Sequence, residues 1–188
     1  MIKLFFITFL WISSLDVVAN ENNGNSLVVG KLPIDTLPHY FSELNFKEVG
    51  SAKFSVLFWD IYNSTLYTKS GSYLHNSSPD SLFFEIEYLR DITSNDLVDR
   101  TIEQWKYLEI AESEYSQFVP TLKAIWPDIS SGDKLALLLQ NNQSVFYFND
   151  IRVGNIEAKE FSKLFLDIWL SPKTSETKLR NQLLGEIE

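Results

Sequence analysis

The side chains in this sequence with the clearest potential for chemistry are one arginine and a few tyrosines near predicted strands. Arg90 lies two residues after Tyr88 at the end of an alternating apolar run, so both side chains share one face of a predicted strand. A guanidinium at the rim of an apolar surface can hold a carboxylate or stabilise an enolate-like oxygen in a low-dielectric cleft. The alternative is an arginine that closes the strand end by pairing with Asp91 or with a helix carboxylate.

Other candidate groups are hydroxyls and carboxylates on the predicted strands. Tyr62 and Tyr67 could donate hydrogen bonds to a ligand, or they could be core or sheet-face tyrosines with satisfied hydroxyls. Glu85 and Glu87 could form an acid/base pair, but their alternation with apolar residues favours a solvent-facing strand edge. No catalytic residue is assigned from this pattern.

Composition excludes several other chemistries. The 188 residues contain no Cys and two His, which argues against a thiol nucleophile, a disulfide framework and a Cys- or His-rich metal site. A net charge of −9 and a pI near 4.7 argue against a nucleic-acid binder, which would carry a basic stripe. We therefore expect no metal and no cofactor, and we expect His39 and His75 in loops.

The first 19 residues have the pattern of a secretory signal peptide. Lys3 supplies the positive start, residues 4–12 the apolar stretch, and residues 17–19 the cleavage region. A membrane anchor is the alternative, but a helix that spans a bilayer needs about 20 apolar residues. The expected mature chain, residues 20–188, is a single domain without a transmembrane segment, secreted or periplasmic in a bacterium.

Apolar periodicity and turn residues predict an α+β fold built on antiparallel hairpins. In the first half of the chain, strands are expected at 46–57, 61–68 and 82–89, with a possible short one at 27–30. Later, Asn141-Asn142 and Asn149-Asp150 are suited to the tight turns of a β-meander, because asparagine and aspartate tolerate positive φ.

Helices are predicted in two separate groups. Two helices follow the third strand, the first capped by Thr93 and the second ended by Pro127. After the meander, Gly154-Asn155 is expected to start a helix whose apolar stripe over 161–169 belongs to the core. A short last helix over 176–184 is expected to end at the glycine that follows it.

Four segments, taken in order, carry the likeness to a known family. They are 50–67 (GSAKFSVLFWDIYNSTLY), 85–105 (EIEYLRDITSNDLVDRTIEQW), 131–155 (SGDKLALLLQNNQSVFYFNDIRVGN) and 160–185, which contains FLDIWL and ends in LLG. Together they resemble the chalcone isomerase-like family, especially its exported bacterial branch. The resemblance implies an open-faced sandwich: a large antiparallel sheet is covered on one face by helices, with a ligand cleft between the two layers.

The same resemblance implies two kinds of function. Plant members cyclise a chalcone to a flavanone without a cofactor, using an arginine that stabilises negative charge and Tyr and Thr hydroxyls that position a water. Other members are not enzymes and bind fatty acids, with an Arg and a Tyr on the carboxylate. Here Lys53 lies near the place of that arginine, and the place of the catalytic Thr falls on the apolar residues 56–58. Because lysine lacks the bidentate fork of arginine, both departures weigh against an isomerase.

We therefore expect a non-catalytic exported protein that binds a small apolar or amphiphilic ligand, such as a fatty acid, in the sheet–helix cleft. The residues expected around that ligand are Arg90, Tyr62, Tyr67, Lys53 and Tyr88. For Lys53 the alternative is a solvated strand position. Two other functions stay open: an envelope interaction module without a ligand, and a cofactor-independent isomerase or intramolecular lyase of chalcone type. A protein partner is not assigned.

Overall fold

Residues 45–75 and 81–186 are described by the computed structural model. The predicted signal peptide at 1–19, the possible strand at 27–30 and His39 lie outside the described residues. The described residues belong to one unit of the chain, Pro33–Glu188. Within them, no helix has the length and apolar character that crossing a membrane requires.

The strands of the described residues form one antiparallel sheet in which each strand pairs with its neighbours in the sequence. They are β1 Lys47–Val56, β2 Trp59–Thr68, β3 Ser81–Tyr88, β4 Lys134–Gln140, β5 Gln143–Phe148 and β6 Ile151–Ile156. Together with the helices, this sheet confirms the predicted α+β class. The first hairpin is tighter than expected, because Val56 already pairs with Trp59 across a two-residue turn.

The helices lie between β3 and β4 and after β6. They are α1 Ser94–Tyr107, α2 Glu112–Tyr115, α3 Val119–Ile125, α4 Lys159–Leu170 and α5 Thr177–Leu183, with a 3-10 turn at Ser116–Phe118. Thr93 caps α1 as predicted, since its hydroxyl oxygen accepts a hydrogen bond from the Asp96 N–H at 3.1 Å. The second predicted helix is divided into α2, the 3-10 turn and α3. Pro120 lies in the first turn of α3 and has no N–H for a continuous helical ladder.

The predicted helix start at Gly154-Asn155 is wrong, because both residues belong to β6. Gly154 pairs with Phe146 of β5, and a Cβ added to it would lie 2.5 Å from the Cγ2 atom of Ile125 in α3. The glycine therefore permits close contact between a helix and a strand. Helix α4 begins only at Lys159.

The turn chemistry predicted from the asparagines is confirmed. The four residues of the β4–β5 and β5–β6 turns have φ values between 46° and 68°; they are Asn141, Asn142, Asn149 and Asp150. Leu57 in the β1–β2 turn also has a positive φ, 56°. A leucine in the left-handed region is uncommon, because its Cβ approaches the following carbonyl oxygen.

The two faces of the sheet carry different side chains, as the alternation in β3 predicts. Phe84 and Tyr88 are buried in the core that packs against the helices. Glu85 and Glu87 alternate with them on the other face, but the expected solvent-facing strand edge is wrong, because both are half-buried on an interior strand of the sheet. The Glu85 carboxylate there lies 3.1 Å from the Lys134 ammonium of β4, so this glutamate has a lysine as its charge partner.

Aromatic rings of α4 join the helical layer to the sheet. Phe165 meets Phe146 of β5 with ring centroids 5.6 Å apart, and Trp169 meets Phe84 of β3 at 4.9 Å. Within the helical layer, the indole N–H of Trp105 in α1 donates to a backbone carbonyl oxygen of α4 at 2.8 Å. The apolar stripe predicted for this helix is therefore core.

Strand β1 approaches the last helix so closely that only glycine fits at one position. A Cβ built on Gly50 would lie 2.2 Å from the carbonyl oxygen of Gln182 and 2.9 Å from the nitrogen of Gly185. Both are backbone atoms, which cannot rotate aside as a flexible side chain can. Gly50 therefore permits the contact between β1 and α5.

We expect Gly50→Ala to destabilise the fold by about 2 kcal/mol or more, because its methyl group must push α5 away from β1. The shift of the urea unfolding midpoint at constant slope measures the change. Ser51→Ala, at the adjacent exposed position, is the control and should change the free energy of unfolding by less than about 0.5 kcal/mol. Equal stability of the two variants would contradict the close contact.

Candidate functional site

Two tyrosines from neighbouring strands meet on the helix-facing side of the sheet. Tyr62 of β2 stands opposite Tyr88 of β3, with ring centroids 6.0 Å apart in an edge-to-face arrangement. On its other side Tyr62 stands opposite Phe54 of β1 and stacks on it at 5.1 Å. The indole N–H of Trp169 donates a hydrogen bond of 2.9 Å to the Tyr62 hydroxyl oxygen. We call these four residues the tyrosine cluster.

The two hydroxyls of the tyrosine cluster have different hydrogen-bond partners. The Tyr62 oxygen accepts from Trp169 and keeps its own O–H proton to donate. Tyr88 is 4 % exposed, and no hydrogen bond of its hydroxyl is found among the described residues. The fully buried side-chain polar atoms without a partner in the described residues are His75 Nδ1, Trp126 Nε1 and Ser144 Oγ, so the Tyr88 hydroxyl keeps some contact with solvent.

Burial keeps both phenols neutral. Desolvation raises the pKa of Tyr88 far above its ordinary value, and the nearby Tyr62 adds to that shift. Desolvation likewise raises the pKa of Tyr62, against the opposing effect of the hydrogen bond from Trp169. The negative charge of Glu176, the residue before α5, raises the pKa of Tyr62 further. Both side chains are therefore hydrogen-bond donors across the physiological pH range.

Arg90 lies just beyond the end of β3 and is exposed. Its guanidinium carbon is 4.3 Å from the centroid of the Trp59 ring, and its Nε donates to the backbone oxygen of Asp60 at 3.4 Å. The expected alternative, a pair with Asp91, is not formed, because Asp91 accepts from the backbone N–H of Ser131 at 2.9 Å. Within residues 45–75 and 81–186, no carboxylate lies at ion-pair distance from Arg90. The guanidinium is oriented by an aromatic ring, and the charge of Asp60, which is itself paired with Lys53, interacts with it beyond ion-pair distance.

A β-bulge in the first hairpin separates an ion pair from the tyrosine cluster. The pairing of β1 with β2 shifts after Phe54, so that Ser55 stands opposite Asp60 and the intervening Ile61 is left over. Asp60 accepts hydrogen bonds from Lys53 at 2.9 Å and from Ser55 at 2.7 Å, and these two bonds lower the pKa of its carboxyl. Lys53 is thus an exposed strand residue, the alternative considered for it, and it lies on the face opposite Phe54.

Tyr67 also lies away from the tyrosine cluster. It packs on the other face of the sheet, with its ring centroid 5.8 Å from that of Phe83. Of the five residues proposed for a ligand, the structure thus brings Tyr62 and Tyr88 together and puts Arg90 at the end of the same strand as Tyr88. It separates Lys53 and Tyr67 from them.

Sequence reasoning missed several residues that complete this region. Trp169 was assigned only to the helix core, yet it is the hydrogen-bond partner of Tyr62. No motif or periodicity near Phe54, Trp59 or Glu176 predicts their contacts at this site, because those contacts depend on strand register and on the position of α5. Within the described part of the chain, no group of three or more His, Asp or Glu side chains could hold a metal ion.

Comparison with known proteins decides the family. A model of the family described as chalcone isomerase-like matches residues 35–185. The chain belongs to this family. The finding confirms the resemblance that the four sequence segments indicated, and it covers every strand and helix described above.

Two relatives place the chalcone isomerase-like chain in context. An uncharacterized protein of Haemophilus influenzae is 24 % identical over 142 residues, which are 76 % of this chain and 69 % of the relative. The crystal structure of a fatty-acid binding protein from Arabidopsis thaliana has a similar fold, with a TM-score of 0.58 and 11 % identity. That match covers 76 % of this chain and 88 % of the plant protein. At this identity the likeness shows a shared fold.

The Tyr62 hydroxyl has a hydrogen-bond partner and the Tyr88 hydroxyl has none in the described residues, so replacing each tyrosine by phenylalanine should affect stability differently. Tyr62→Phe removes the acceptor of the Trp169 N–H and should destabilise the fold by about 1–2 kcal/mol. Tyr88→Phe removes no protein hydrogen bond and should change the free energy of unfolding by less than about 0.5 kcal/mol. Urea unfolding of both variants measures the difference. A Tyr88→Phe variant as unstable as Tyr62→Phe would reveal a protein partner for the Tyr88 hydroxyl.

Proposed function

We propose that this chalcone isomerase-like protein is a non-catalytic binder of an amphiphilic carboxylate, such as a fatty acid, held between the sheet and the helices. In this proposal Tyr88 and Arg90 hold the carboxylate. The observation that carries it is the Tyr88 hydroxyl, which has no hydrogen-bond partner in the described residues, two positions before an arginine with no carboxylate at ion-pair distance there. A ligand oxygen would give that hydroxyl a hydrogen-bond partner.

The charges around the tyrosine cluster favour one orientation of the ligand. Glu176 lies on the α5 side, and its charge reaches the Tyr62 hydroxyl. An anionic headgroup would be repelled there and attracted on the side of Arg90. A guanidinium is also the side chain best suited to a carboxylate, because it can donate two parallel hydrogen bonds. The headgroup is therefore proposed at the β3 end of the cluster.

Apolar side chains beside the hydroxyls suit the hydrocarbon part of such a ligand. Phe54 stacks on Tyr62, and Phe84 lies against Trp169 with centroids 4.9 Å apart, so rings surround the polar groups. Each buried CH₂ group contributes about 0.8 kcal/mol, so the affinity for a bound fatty acid should rise with the length of its chain.

Two further points support binding without catalysis. The Arabidopsis thaliana protein with the similar fold is a fatty-acid binding protein. The place of the catalytic Thr of the plant enzymes falls here on Val56, Leu57 and Phe58, which are exposed and have no hydroxyl.

Ligand binding is tested by isothermal titration of the delipidated protein with dodecanoate. We expect Arg90→Gln and Tyr88→Phe each to weaken binding about ten-fold or more, the range for hydrogen bonds to a charged group. Lys53→Gln is the matched control, because it removes a cation of the same hairpin from the opposite face, and it should leave the affinity unchanged. Wild type should also prefer dodecanoate to dodecanol, and Arg90→Gln should lose that preference.

Three outcomes would contradict the proposed function. One is that the wild type takes up no dodecanoate at micromolar concentration, and another is that Arg90→Gln and Lys53→Gln weaken binding equally. Turnover of a chalcone by the wild type, lost in Arg90→Gln, would replace the binder with an isomerase. Thermal unfolding of each variant establishes that it is folded before affinities are compared.

We also propose that the protein is exported from the bacterial cytoplasm, on the support of the signal-peptide pattern in residues 1–19. Expression of the full chain in a bacterium, followed by fractionation and N-terminal sequencing, tests this. The expected result is a periplasmic or secreted protein that begins at Asn20. A cytoplasmic protein that retains residues 1–19 would overturn it.

A further inference from the structure

The β1–β2 hairpin ends in four consecutive apolar residues that face solvent. Val56 is 46 % exposed, Leu57 84 %, Phe58 97 % and Trp59 56 %. We call these residues the apolar tip. Leu57 and Phe58 form the two-residue turn itself, so they protrude beyond the sheet and do not lie on one of its faces.

The turn residues of the apolar tip are unfavourable for the turn they form. Leu57 has a φ of 56°, a conformation that suits glycine, asparagine or aspartate and strains leucine. The same sheet has two other two-residue turns, and both use the preferred types, Asn141-Asn142 and Asn149-Asp150. With 84 % of its surface in water, Leu57 does not recover the cost of its backbone by packing within the chain. The advantage of leucine at this position therefore lies in contact with something outside the chain.

We propose that the apolar tip inserts into the interfacial region of a lipid bilayer. A protruding turn with leucine and phenylalanine at its apex can enter the boundary between headgroups and acyl chains without displacing a large area of lipid. Trp59 follows the apex, and tryptophan is the residue that anchors proteins at that depth. Contact with a protein would require a shaped and largely apolar recess that fits a convex tip, whereas a bilayer requires no such fit.

The charges behind the apolar tip suit the same surface. Arg90 covers the ring of Trp59, and Lys53 lies three residues before Val56 on the same hairpin, so both cations lie behind the apolar tip. The acid of this hairpin next to the tip, Asp60, is paired with Lys53 at 2.9 Å and does not add an uncompensated negative charge. The proposed contact is with a bilayer of neutral phospholipid, and it does not depend on the proposed ligand.

Flotation with phosphatidylcholine vesicles tests the proposal on the full chain. The variant that separates membrane contact from folding is Leu57→Gly with Phe58→Asn, which puts glycine at the turn position with positive φ. We expect the double variant to bind vesicles about ten-fold or more weakly than wild type, and to unfold at an equal or higher temperature. Tyr107→Ser, which removes an aromatic ring that is 58 % exposed on α1, is the control and should bind as wild type does.

A second measurement locates the contact at the apolar tip. Tryptophan fluorescence of the wild type should shift to shorter wavelength on adding vesicles, and Trp59→Phe should lose the shift. Residues 1–19 are identical in all of these proteins, so any contribution of their apolar run to flotation is common to them.

Several results would overturn the proposal. Flotation of the double variant equal to that of wild type would show that the tip does not enter lipid. Binding that requires added phosphatidylglycerol and persists in the double variant would assign the contact to charged side chains elsewhere. A wild-type dimer that the double substitution converts to a monomer, with no vesicle binding by either, would identify a second copy of the chain as the partner of the tip.

Discussion

The register in which β1, β2 and β3 pair is the constraint on which the candidate site depends. Tyr62 stands between Phe54 and Tyr88 in that register, on the face covered by α4. The same register places both tyrosine rings among other aromatic side chains, and the Trp169 N–H donates to the hydroxyl of Tyr62. A shift of the β2 register by one residue would turn its buried side chains to the other face and separate Tyr62 from the other residues of the tyrosine cluster.

At this end of the sheet, Tyr88 is buried and uncharged, whereas Arg90, two positions later, is exposed and charged. Tyr88 is desolvated and stays neutral, because burial raises its pKa. Arg90 remains in contact with water and is held by the ring of Trp59, so its charge carries no large desolvation cost. A buried donor next to a hydrated cation matches a molecule with an anionic end and an apolar body better than one that is polar or apolar throughout.

Much of the fold could be predicted because it follows from local geometry, whereas the site could not. The alternation in β3 and the cap at Thr93 depend on residues a few positions apart. Trp169 reaches Tyr62 across 107 positions, and no periodicity encodes such a contact. Parity alone would have separated Tyr67 from Tyr62, since residues five apart in one strand face opposite sides. Gly154 was misassigned because a glycine can serve close packing as well as a chain break.

The bulge in the first hairpin decides where the chain's own negative charge is placed. Asp60 and Tyr62 are two positions apart, so in a strand of regular alternation both would face the helices and the Asp60 carboxylate would lie next to Arg90. A carboxylate there would neutralise the guanidinium. At the bulge Ile61 is left over and the alternation is interrupted, so Asp60 stands opposite Ser55 and pairs with Lys53 on the other face. The bulge thus keeps an internal anion away from the side on which an external anion is proposed.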